Sequence, residues 1–331
     1  MQKPLSLNDR SFRSMIEGNF LYADKTEYIF NLLDVDKFNC CFLSRPRRFG
    51  KTLLIKTIDA LFQGERKLFE GLWIDGSDYK FEKYPVLNFN MAYYEISTSD
   101  DLISIIKRRL IKHAEKMKVE LTSGYSFGEM FGEMFGELLE GVYAKFDVGV
   151  VILVDESDAP MADHISDMEL ALANRDVLRG FFRCIKQNID YIHLAFVTGI
   201  TRFAMTTLDS GSNNFVDISL LPEYAGICGF TPSELDTCFE DRLEVTLDSL
   251  KDDGGLPQGV GVDDLKAEIL KWFDGYNWLG NERVINPYSI LHFLRKKKFA
   301  SYWISTGRPS HLSALVRACQ GKSAGLHSIV S

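Results

Sequence analysis

The chain has 331 residues, 46% of them hydrophobic and 25% charged, with a formal net charge of −8 and a pI near 5.4. That much apolar material fills one large or two ordinary domains, and the acidic balance argues against holding nucleic acid through non-specific phosphate contacts. Six cysteines without paired spacing exclude a disulfide framework, and no apolar run approaches the ~18 residues of a membrane span.

Taken in chain order, residues 1–37 are expected to form helices flanking a first strand, with no leader-like apolar region before them. A cytoplasmic location follows as the expectation. Residues 38–62 read FNCCFLSRPRRFGKTLLIKTIDALF. Cys40 to Leu43 make a short buried strand, and Leu54, Ile58, Leu61 and Phe62 share one face of the helix after the turn. Pro85–Asn90 is a second strand. A helix follows from about Asp100 to Lys118, capped by Ser99 or Asp100, with Leu102, Ile103, Ile106, Leu110 and Ile111 on its apolar face. The repeat FGEM-FGEM-FGEL (127–138) sets Phe127, Phe131, Phe135 and Leu139 four apart, an inclined stripe on a helix and a packing feature. Its glycines each cost roughly 1 kcal/mol there relative to alanine.

Residues 148–156, VGVVILVDE, form a continuous apolar run closed by two acids, the pattern of a strand buried on both faces of a parallel sheet. A further strand over 192–197 runs into Thr198-Gly199-Ile200-Thr201-Arg202. A boundary is expected near 205–220. Thr231-Pro232-Ser233-Glu234 then opens a helix, residues 251–264 form a glycine-rich loop, and helical spacing resumes over 265–273. Gly275–Trp278 is an aromatic turn that suits either a partner or the packing of a small domain. Arg295–Lys298 is expected to solvate a helix C-terminus, where cations suit the dipole, with DNA contact as the alternative.

The chemistry concentrates at two strand ends. Gly50-Lys51-Thr52 closes a phosphate-binding (Walker A) loop at the start of a helix, where unpaired N–H groups and the positive dipole end favour anions. The backbone amides of Arg48, Phe49, Gly50, Lys51 and Thr52 are the candidate cradle. Lys51 adds a charge for the β- and γ-phosphates, and the Thr52 hydroxyl can ligate Mg²⁺. The loop departs from G-x-x-x-x-G-K-[ST] because Arg45 stands at the first glycine, before Pro46; a reshaped entry is expected. Ligand sites lie beyond the carboxyl ends of parallel strands. There Asp155 (Walker B) would hold the metal shell and Glu156 would polarise the attacking water. Thr198 could meet the γ-phosphate or that water, or simply cap a turn. Arg202 could sense phosphate, meet a neighbouring subunit or lie on the surface. These residues point to ATP or GTP.

Eight segments in order resemble the bacterial and archaeal AAA-ATPase-like family: FLYADKTEYI (20–29), FLSRPRRFGKT (42–52), VILVDESDAP (151–160), FVTGITRF (196–203), the stretch 210–235, WFDGY (272–276), INPYSIL (285–291) and YWISTG (302–307). The Arg-Pro-Arg-Arg-Phe loop is part of that pattern. Ser157 replaces a family tyrosine while Asp155, Glu156 and Asp158 remain. The resemblance implies an α/β fold, a P-loop NTPase sheet of the additional-strand type flanked by helices, over 1–210. A smaller helical or winged-helix lid over 211–331 would follow. It implies ATP with Mg²⁺ and hydrolysis coupled to lid movement; a slow switch or scaffold is the alternative. A homo-oligomer is compatible, and nucleic acid finds no support in the net charge. Family members often carry a C-terminal PD-(D/E)XK nuclease. Here about two dozen residues follow Gly307 and no nuclease site is read, so a fragment of a longer nuclease-bearing protein is a further alternative. Asp24 and Lys25 belong to a family signature without an assigned role; an ion pair or helix cap at Asp24 is the simpler reading.

Overall fold

Strand burial organises the molecule. In a computed structural model, which describes residues 3–7, 11–33, 39–92, 94–122, 130–201, 215–280 and 283–303, five parallel strands form one sheet. They are β1 (Cys40–Ser44), β2 (Val86–Asn90), β3 (Val150–Asp155), β4 (Ile192–Gly199) and β5 (Val216–Asp217), in the order β2-β3-β4-β1-β5. β4 therefore stands between the strand that leads into the phosphate loop and the strand that ends in two acids. Its register, Leu43 opposite Thr198 and Val154 opposite Val197, brings all three strand ends level.

Successive side chains alternate between two apolar layers, as a strand's period of two requires. Val150, Ile152 and Val154 enter one layer and Val151 and Leu153 the other; Cys40 and Phe42 part from Cys41 and Leu43 in the same way. Short helices α1 (Phe12–Glu17) and α2 (Thr26–Leu32), with α3 (Lys51–Phe62), cover one face through Phe12, Ile29, Leu54, Ile58 and Leu61. α4 (Ser99–Met117), α5 (Phe135–Phe146) and α7 (Met168–Gln187) cover the other, with the single-turn α6 (Ala159–Ala162) following the acids.

Two expectations shift here. The cap of α4 is Thr98, in a reciprocal capping box with Asp101 that competes better than Ser99 or Asp100 for the free N–H groups. The FGEM repeat opens as a π-helical turn over Met130–Met134 before α5; Phe135 and Leu139 are buried, while Phe127 lies outside the described residues. Gly136 admits the side chain of Asn188, which ends α7, at its face.

A third apolar cluster gathers α8 (Pro232–Asp252), α9 (Val262–Phe273) and α10 (Pro287–Lys296) around Leu235, Phe239, Leu243, Ile269 and Phe293. Two short antiparallel strands, β6 (Asp274–Tyr276) and β7 (Val284–Ile285), join it to the sheet domain. Thr231 caps α8 with Pro232 in the first turn and Glu234 completing a capping box, as its sequence predicts. No helix among the described residues is long and apolar enough to cross a membrane.

Candidate functional site

Gly50 caps α3 in the left-handed region at φ +97°, which is what lets the chain turn from loop to helix. Arg48 also takes a positive φ of +69°, and Glu156, directly after β3, one of +53°. Non-glycine residues pay about 1 kcal/mol or more for that conformation. Both occurrences border the same cleft, of about 480 Å³.

Lys51 is buried, and its Nζ donates to the carbonyl oxygens of Arg45 (3.0 Å) and Pro46 (3.2 Å), which draws the loop around the ammonium. Glu156 Oε1 lies 3.6 Å from the same Nζ. One residue on, Thr52 Oγ1 donates to Asp155 Oδ2 at 2.7 Å. Asp155 is buried and collects further donors: Thr198 Oγ1 at 2.6 Å on Oδ1, the Glu156 amide at 3.1 Å, and Asn90 Nδ2 at 3.3 Å. The hydroxyl and carboxylate oxygens of Thr52 and Asp155 are a hard-donor pair of the kind Mg²⁺ accepts while keeping water and phosphate ligands.

Burial pushes the Glu156 carboxyl above its ordinary value; Lys51 opposes the rise, and Asp155 and Asp158 add to it. Asp158 itself faces elsewhere. It accepts the amides of Ile200 and Thr201 and the Thr201 hydroxyl, fixing the loop that leaves β4.

The structure thus brings Arg48, Phe49, Gly50, Lys51, Thr52, Asp155, Glu156 and Thr198 to one end of the sheet. Arg202 lies outside the described residues. Asn90 is an addition, legible only as a polar residue ending a parallel strand beside β3. Thr198 bonds both Asp155 and the Glu156 amide (3.4 Å). Thr198→Val removes a buried charge-assisted bond and should cost about 1.5–3 kcal/mol, read by urea unfolding.

Arg45 is the main surprise of the loop. Its guanidinium is fully buried, donates to the carbonyls of Ser44 (2.8 Å), Ser219 (2.9 Å) and Tyr224 (3.1 Å), and lies 4.4 Å from the Trp278 ring centroid. Desolvation lowers its pKa to about 10, partly offset by Cys228 and Asp217. Tyr276 and Trp278, the aromatic turn, pack edge-on against Phe49, and the Trp303 indole donates to the Arg47 carbonyl. The aromatics therefore pack the loop from outside.

A family model described as "Predicted AAA-ATPase" matches residues 7–209. The chain belongs to this family. Membership in the AAA-ATPase-like family suggests nucleotide binding. The AAA-ATPase-like chain is also 32% identical over 335 residues to a protein of Azotobacter chroococcum mcd 1 described as an uncharacterized protein in the vnfD 5′ region; the match covers 100% of this chain and 59% of that protein. Two solved structures are more distantly similar. One is Drosophila ORC bound to GC-rich DNA and Cdc6, with 11% identity, a TM-score of 0.25, and 87% and 92% of the two chains covered. The other is the HORMA:CdnC:Trip13 complex of E. coli MS115-1, with 13% identity, the same TM-score, and 84% and 94% covered. At that TM-score neither likeness bears on the chemistry.

Proposed function

We propose that this protein binds ATP with Mg²⁺ and hydrolyses it in the cleft between the strand ends and the C-terminal helices. The observation that carries the reading is the Thr52–Asp155 contact of 2.7 Å, formed with Lys51 and Glu156 facing each other beside it. Amides 48–52 and Lys51 bind the polyphosphate; Thr52 and Asp155 hold the metal, which would offset charge on the transferring phosphoryl group. Glu156, raised in basicity by burial, takes or orients the proton of the attacking water. Thr198 fixes Asp155 and the backbone of Glu156, and through them would position the metal-holding and water-polarising groups. Residues 1–210 act as the nucleotide domain and 211–331 as the lid, with the aromatic turn carrying lid movement to the loop.

A slow nucleotide switch is the second reading, favoured by the grip of Arg45, Trp278 and Trp303 on the loop. Steady-state ATP hydrolysis separates the two. Lys51→Ala should lose calorimetric ATP binding by about 10-fold or more, since it removes a charge-assisted phosphate contact. Undiminished binding would remove Lys51, and with it the phosphate-loop reading.

A further inference from the structure

A second buried lysine borders the same cleft. Lys25 is 8% exposed, and its Nζ is held by both carboxylate oxygens of Glu234, at 2.5 and 2.6 Å, across 209 residues of sequence. Its backbone is fixed on the other side. Asp24 accepts the amide and hydroxyl of Thr26 through Oδ1 and the amide of Trp73 through Oδ2, so the segment cannot follow Glu234 if α8 shifts.

Glu234 is committed elsewhere too. Its Oε2 accepts the Thr231 amide at 2.8 Å in the capping box of α8, which ties the ion pair to the first turn of that helix. Lys25 lines the cleft together with Lys51, Thr52 and Glu156. Cys228 lines the cleft with both lysines. Burial raises the Cys228 thiol on the cleft wall, and Arg45, Lys51 and Lys25, in that order, oppose the rise.

We propose that Lys25 is a second phosphate-binding cation of the cleft, contested between Glu234 and the polyphosphate, so that nucleotide binding loosens α8 from the N-terminal segment. This rests on the ATP-binding reading above. A nucleoside triphosphate offers several negative charges against the single charge of Glu234. A lysine stem with rotatable bonds can exchange one partner for the other without moving its backbone. Coupling of this kind is reciprocal: a change that weakens the hold of Glu234 and leaves Lys25 in place must strengthen nucleotide binding.

The test is calorimetric titration of Mg·ATP into the full chain, its Glu234→Gln and Lys25→Met variants, and Lys51→Ala as a control. Gln at that helix position still completes a capping box, so E234Q removes the competing charge and keeps the helix start. The expected result is ATP binding about fivefold or more tighter in E234Q and about tenfold or more weaker in K25M. Hydrogen exchange in the first turn of α8 should quicken when ATP is added to the parent protein. ATP affinity of E234Q within about twofold of the parent overturns the proposal, whether or not K25M folds. If the parent binds ATP, Lys51→Ala loses it and E234Q is unchanged, the ATP site stands and only the role of Lys25 falls. If the parent binds no ATP, both fall.

Discussion

Replacing Glu156 with Gln should lower ATP turnover by about 10²–10⁴-fold while ATP still binds. Gln keeps the size and one acceptor oxygen but cannot take a proton from water. Its neighbours Lys51, Thr52 and Asp155, which would hold the phosphates and metal, are left in place. The electrostatics add a second expectation with a definite sign. A carboxyl raised by burial favours the protonated form in the fold, so its contribution to stability is present below the ordinary carboxylate range and declines as pH rises through its raised value. The neutral amide carries no such term. E156Q should therefore gain stability relative to the parent on going from acid to neutral pH, read by thermal unfolding across that range. For the same reason the parent's turnover should fall as the medium is acidified through the raised value, because the base is then protonated. Turnover undiminished in E156Q would exclude Glu156 from the mechanism, and binding lost together with turnover would make it a binding residue.

How much of this was legible beforehand depended on whether the signal was local. The run VVILVD is apolar at every position because β3 is covered on both faces, and that pattern needs nothing from the rest of the chain. The capping box at Thr231 and Glu234 and the glycine turn at Gly50 are likewise written within four residues. What could not be read is pairing across distance. Arg45 at a glycine position implied only an altered entry; its carbonyl partners at Ser219 and Tyr224 and its aromatic partner at Trp278 lie more than 170 residues away. Lys25 stood in a family signature without a role and Glu234 in a helix start, and nothing in either segment linked them until the fold set them 2.5 Å apart. The strand order belongs to the same class: an inserted β4 leaves no mark on β1 or β3 beyond their full burial.

Arg45 yields the largest expected loss of stability. Arg45→Met should destabilise the fold by about 3–5 kcal/mol in urea unfolding. The methionine fills much of the volume and can still lie against Trp278, but it offers no donor. The carbonyls of Ser44, Ser219 and Tyr224 then lose their guanidinium partner; that of Tyr224 keeps the Ile227 amide, and a buried acceptor left unsatisfied costs about 1–3 kcal/mol. Against this stands the desolvation of the guanidinium, recovered when it is removed, which keeps the total below a simple sum over three bonds. Arg45→Gly, the residue of the common phosphate loop, should do no better. It removes the same donors, opens a cavity under Trp278 and frees a backbone whose turn is already supplied by Gly50. The distinction from a purely local loop effect is in the far probe. Because the guanidinium joins the loop to Ser219 and Tyr224 and touches Trp278, both variants should raise hydrogen exchange over 216–230 and 276–278 as well as over 45–50. A loss confined to residues 45–50 would mean that the arginine serves the loop alone.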